Sequence, residues 1–188
     1  MRLRLVALGL LAACGNPGAL PSEAMYDPIT ERLIAAPYPA EPPWRQVVDA
    51  HTREGTRAAW VPPDQDEERA ADRLIQEALF GRQKTAPEEL LAERAQKRAA
   101  APGCLMAQAG APLRATEDGN DVAYGELGCP GKSLVLWKAI RGHEALYVVS
   151  REFGHPPGGE EVRAARAYLA EQVYLCPITG GYGRCARR

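Results

Sequence analysis

The chain has no apolar run of the roughly 18–20 residues that a membrane-spanning helix needs, and no serine in a GxSxG elbow. No two of its cysteines have the two-residue spacing of a thiol redox pair. Its histidines, His51, His143 and His155, form neither HExxH nor another metal-ligand spacing. Positive charge is not in excess either: 23 lysines and arginines face 24 aspartates and glutamates, for a formal charge of −1. These absences argue against a permanent membrane helix, a thioredoxin-like activity, a serine-elbow hydrolase and a histidine-bound metal. Nothing suggests a nucleic-acid partner.

What is present begins at the first residue. "MRLRLVALGLLAACGN" carries two arginines, an apolar run over residues 5–13 and small residues before Cys14. That is an export signal, too short to remain as a membrane span. "LAAC" resembles the lipobox of bacterial lipoproteins. The resemblance implies that Cys14 receives a diacylglyceryl thioether, that the chain is cut before it, and that the new amino group is acylated. Several acyl chains give stable anchoring, since each buried methylene contributes about 0.8 kcal/mol. Gly15 stands where retention in the inner membrane would want aspartate, which favours the outer membrane of a Gram-negative envelope. Loss of residues 1–13 removes Arg2 and Arg4, so 21 basic residues remain against the 24 acidic ones, a charge of −3.

Residues 14–43 form the lipidated end and a Pro/Ala-rich stretch with Pro17, Pro21, Pro28, Pro37, Pro39, Pro42 and Pro43, which reads as a tether. The alternative is that Tyr26, Ile29 and Leu33 dock against the domain. Residues 44–178 are long enough for one α+β domain with a real core, and 179–188 form a Gly/Arg-rich tail. In an oxidising compartment the remaining cysteines, Cys104, Cys129, Cys176 and Cys185, are expected in disulfides. The local pairs Cys104–Cys129 and Cys176–Cys185 lead, with Cys104–Cys176 and Cys129–Cys176 as competitors.

Along the domain, residues 44–50 and 56–61 read as two strands joined by "HTREG". A helix is expected from Asp64 to the stop at Gly81, with Glu67 in the capping-box position and Ala71, Leu74, Ile75 and Ala78 on one face. A second helix is expected with Thr85 as its cap, Glu88 three residues on and Pro87 in the first turn. After Cys104 the period changes to two, giving strands over 105–109, 122–128, 134–141 and 145–153. The last two are apolar on both faces, which places them mid-sheet. A third helix follows Pro156 and Pro157, with Val162, Ala165, Leu169 and Val173 on one face. The expected fold is a mostly antiparallel sheet of about five to six strands flanked by three helices and tied by disulfides.

"GCPGKS" ends in the Gly-Lys-Ser of a phosphate-binding loop, but the match fails. Glu126 stands where the first glycine belongs, "LVLWKAI" after Ser133 is a strand where a helix is required, and an exported domain meets no nucleotide pool. The segment reads instead as a hairpin link, with Pro130 and Gly131 supplying the turn. Ser133 and Ser150 lack the neighbours of a nucleophile. Glu117, Asp118, Asp121 and Glu126 cluster as glycosidase-like acids would, or as a solvated loop does. Trp44, Trp60 and Trp137 read as core packing, and an exposed row of Trp60 or Trp137 with Tyr147 would instead mark a binding surface. No catalytic residue, metal or cofactor is assigned.

The segments "WVPPDQ", "GCPGKSLVLWKAIRGHEALYVVSREF" and "YLAEQVYLCP", with the lipobox, resemble a set of small uncharacterised envelope lipoproteins of Gram-negative bacteria. That family has no established activity. It implies cysteines matching Cys104, Cys129 and Cys176, so one pair lies among these, with the third thiol spare or bonded to Cys185, which weighs against two local pairs. The element order also resembles the three-layer Mog1/PsbP type, whose members mostly bind partners or stabilise assemblies. The expected protein is an outer-membrane-anchored, non-catalytic binding or structural module facing the periplasm. Its partners are membrane lipid through Cys14 and an envelope protein or cell-wall component. A carrier of a small apolar ligand or lipid, or an envelope hydrolase, are the alternatives.

Overall fold

A computed structural model describes residues 31–39, 43–66, 70–101, 104 and 107–178. In chain order the elements are β1 (Glu31–Ile34), β2 (Arg45–His51), β3 (Gly55–Val61), β4 (Asp72–Phe80), α1 (Pro87–Ala99) and β5 (Gln108–Ala109). They continue as β6 (Leu113–Glu117), β7 (Asn120–Cys129), β8 (Ser133–Arg141), β9 (Ala145–Phe153), α2 (Gly159–Glu171) and β10 (Tyr174–Pro177). Eight strands make one antiparallel sheet in the order β2-β3-β4-β9-β8-β7, with β5 and β6 both pairing with the outer edge of β7. The remaining strands, β1 and β10, pair with each other as a separate antiparallel ribbon.

The β8–β9 hairpin is the spine, and its side chains alternate between two cores. Leu136, Ile140, Tyr147, Val149 and Phe153 face α2, where Tyr168 and Leu169 meet them. Val135, Trp137, Leu146 and Val148 face α1 and its Leu90 and Leu91. The apolar character of both faces thus has its cause in helices on both sides. Leu90 and Leu91 are 3% and 1% exposed, and burial of each contributes about 2–3 kcal/mol.

The architecture is α+β as expected, but with more strands and fewer helices. The helix expected from Asp64 is instead β4 over its described part. Leu74 and Ala78 face the α2 side and Leu79 the α1 side, so a spacing that also fits a helical face serves a strand covered on both sides. Its neighbours β3 and β9 pair along most of its length. That ladder outweighs the weak helical preference of Leu, Gln, Glu and Ala. Residues 67–69, including Glu67, lie outside the described residues.

Helix α1 starts two residues later than Thr85. Its N-cap is Ala86 with no side-chain cap, and Pro87 takes the first turn, where a missing N–H costs nothing. The Thr85 hydroxyl accepts instead from Arg82 Nε at 3.1 Å. Of the strand expected over 105–109, β5 keeps Gln108–Ala109, while Leu105 and Met106 lie outside the described residues. The strands β1, β6 and β10 were not expected. Helix α2 carries Ala165 and Leu169 into the core as expected.

The reading of residues 14–43 as a tether is corrected for its described end. The domain begins by Glu31: β1 pairs with β10, and Leu33 and Tyr38 pack on the core. Tyr38 stacks on Tyr168 with ring centroids 5.3 Å apart. Tyr26 and Ile29 lie outside the described residues. "CPGKS" is the β7–β8 turn: Cys129 pairs with Ser133, Lys132 N–H donates to the Cys129 carbonyl at 3.0 Å, and Gly131 has the positive φ of 68°.

Candidate functional site

Trp137 packs in the core as expected, and the alternative, an exposed row that joins it to Tyr147, does not form. Trp137 and Tyr147 are 4% and 7% exposed, and they lie on opposite faces of the sheet. The register decides this, since Trp137 pairs with Ser150 and Tyr147 with Ile140. Trp60 is half-buried against the α2-side core. The indole at 137 and the phenol at 147 are therefore packing groups. Burial, reinforced by the neighbouring Glu31 carboxylate, pushes the Tyr147 hydroxyl above the usual tyrosine range.

The charged side chains inside the fold are committed to one another. Lys138 is fully buried on β8. Its Nζ donates to Glu117 Oε2 at 2.6 Å and to the Val173 carbonyl at 2.7 Å, and lies 5.2 Å from the Tyr124 ring centroid. The Tyr124 hydroxyl donates to the other Glu117 oxygen. Arg151 is 6% exposed between the rings of Trp44 and Phe153, at 4.7 and 4.3 Å, and its Nη2 donates to Asp72 Oδ2 at 3.1 Å. Desolvation lowers the Arg151 pKa and Asp72 opposes the shift.

The carboxylate cluster is dispersed across the β6–β7 hairpin. Glu117 serves Lys138, Asp121 pairs with Arg141, and Glu126 pairs with Arg166 at 2.5 Å, while Asp118 occupies the turn with a φ of 50°. Different cations hold them, so these acids do not converge as a glycosidase pair would. His51 lies 3.0 Å from Asp49 and His155 3.2 Å from Asp72. Among the described residues no group of three His, Cys, Asp or Glu is placed to hold a metal ion. Ser150 is buried within the sheet.

A feature the sequence did not announce is a groove of about 600 Å³ between α2 and the edge of β7. Its origin is a break in the ladder. Ala109 pairs with Leu127 and Leu113 with Tyr124, so residues 110–112 arc out opposite Gly125 and Glu126. Gly110, Ala111, Gly125 and Ala170 are too small to fill the space, and Leu113, Leu136, Trp137 and Leu169 supply apolar wall. Glu126 and Arg166 are the charged lining residues. Leu113 is 72% exposed. No local pattern encodes this recess, because its two walls come from segments some 50 residues apart.

Cys104 and Cys129 form a disulfide with Cα atoms 5.1 Å apart, tying the approach to β5 to the end of β7. The alternatives that pair either with Cys176 are thereby excluded. Cys176 is itself disulfide-bonded, to a partner outside the described residues. Cys14 and Cys185 lie outside the described residues. Among the described residues no helix is long and apolar enough to cross a membrane. Against known proteins, no family model matches the chain, and no curated protein matches its sequence.

Proposed function

We propose that the protein is a lipoprotein of the Gram-negative outer membrane, held by acylated Cys14, whose α+β domain faces the periplasm as a non-catalytic binding module. The lipobox "LAAC" supports the anchor, and the disulfide between Cys104 and Cys129 fits an oxidising compartment. The resemblance to small envelope lipoproteins and to a three-layer fold of partner-binding proteins points the same way. Fold likeness alone does not fix function.

The observation that carries the binding role is the groove beside α2. It has the size of a ligand site and apolar walls, and its charged lining residues neutralise each other. The same recess favours carriage of a small apolar ligand as the mode of binding. Partner docking through the exposed Leu113 is the other mode.

The test is the intact mass of the protein extracted from native membranes without reductant, with free thiols labelled. An acylated mass beginning at Cys14, with no label on the domain cysteines, is the expected result. An unacylated chain ends the anchor reading. A labelled domain cysteine reopens thiol chemistry at that residue.

A further inference from the structure

We propose that the groove between α2 and β7 binds a linear acyl chain bearing a free carboxylate, with the chain along Leu113, Leu136 and Leu169 and the carboxylate on Arg166. The proposal rests on the reading of the domain as a binding module and names the occupant. Three observations lead to it. The recess holds about 600 Å³, far beyond a packing defect. Its apolar wall continues outward into Leu113, which is 72% exposed, so a flexible chain laid along it removes from water a surface that is otherwise wet.

The third observation is charge. Arg166 stands at the groove and pairs with Glu126 at 2.5 Å, with their side chains 57% and 45% exposed. An ion pair that open to water holds its partners loosely, so the guanidinium can exchange Glu126 for a ligand. A carboxylate meets the planar fork through two parallel hydrogen bonds. Arg166 is the cation that lines the groove, and a ligand carboxylate takes the place of Glu126 on it.

The experiment is photolabelling of the full chain in its native membrane with a diazirine fatty acid, followed by peptide mapping. Label on the segments holding Leu113 and Arg166 to Ala170, displaced by unlabelled oleate and not by oleyl alcohol, is expected. Ala170→Trp fills the groove from an exposed helix position and should reduce labelling about tenfold, and Arg166→Glu several-fold. Labelling confined to other segments, or unchanged in Ala170→Trp, overturns the site. Equal displacement by oleyl alcohol overturns the carboxylate. A diazirine phospholipid run in parallel separates the sources: groove label from it, and none from the free acid, overturns the free carboxylate in favour of membrane lipid. The intact mass at Cys14 reads the anchor separately, and cross-linking of the wild-type chain to envelope proteins reads the module. Either can therefore stand when the acyl ligand fails.

Discussion

Glu31 and His143 lie far apart in sequence, yet the Glu31 carboxylate sits in the turn of the β8–β9 hairpin and accepts the His143 N–H at 2.8 Å. Its other oxygen accepts the Glu144 N–H at 2.7 Å. Gly142 makes this possible, because a Cβ there would occupy the carboxylate's place. A side chain of β1 thus satisfies backbone donors that a tight turn leaves over, and locks the ribbon of β1 and β10 onto the main sheet.

Loss of that carboxylate should be costly. Glu31→Ala removes charge-assisted hydrogen bonds to both turn donors, so a loss of about 2–3 kcal/mol is expected in urea unfolding. Glu31→Gln retains one acceptor oxygen and should lose less. Equal stability of Glu31→Ala and wild type would show that the clamp contributes nothing.

Lys138 and Glu117 make an asymmetric pair, with side chains 0% and 29% exposed. Removing Glu117 as Glu117→Ala leaves a buried ammonium short of its counter-charge, at a cost of about 3 kcal/mol. Lys138→Met removes the charge with its desolvation penalty and fills similar space, so it should cost less than Glu117→Ala. The order of the two midpoints in denaturant is the check, and the reverse order would refute it.

Alkaline pH should unfold the domain through its buried phenols. Burial, then Glu31, pushes Tyr147 up from 10.0, and burial pushes Tyr168 up against the opposing pull of Arg151. The unfolded chain ionises these groups first, so their contribution is complete below about pH 10 and falls as pH rises beyond it. Tyr168→Phe should shallow that fall, read as stability against pH alongside tyrosinate absorbance. An unchanged alkaline slope would remove Tyr168 from the account.

The disulfide between Cys104 and Cys129 closes a loop of 25 residues in sequence separation. Its chain-entropy effect is about 3 kcal/mol. The Cys104→Ser, Cys129→Ser double variant should therefore unfold at clearly lower denaturant. The groove wall at residues 110–112 lies inside this loop, so its amide exchange should quicken more than that of β9.

Several features were legible in the sequence because their causes are local. The strands β8 and β9 show a run of β-branched and aromatic residues with a tight turn between them, which suits a strand covered on both faces and little else. Helix α2 shows its apolar side at helical spacing after a double proline. Gly131 and Pro130 mark a turn whatever surrounds them, which is why the apparent phosphate loop was recognisable as a hairpin link. The proposed export signal and acylation of Cys14 likewise rest on adjacent residues alone.

The tertiary structure decided the rest, for a common reason: partners distant in the chain set the outcome. Residues 72–80 carry apolar groups that suit a helix or a two-sided strand, and only the open edges of β3 and β9 made them β4. The strands β1 and β10 are too short to signal themselves, and each exists through pairing with the other. Trp137 and Tyr147 look alike as exposed or buried aromatics until the sheet register sends them to opposite cores. The groove depends on a ladder break meeting small residues of a helix far along the chain, a coincidence in space that no linear pattern records.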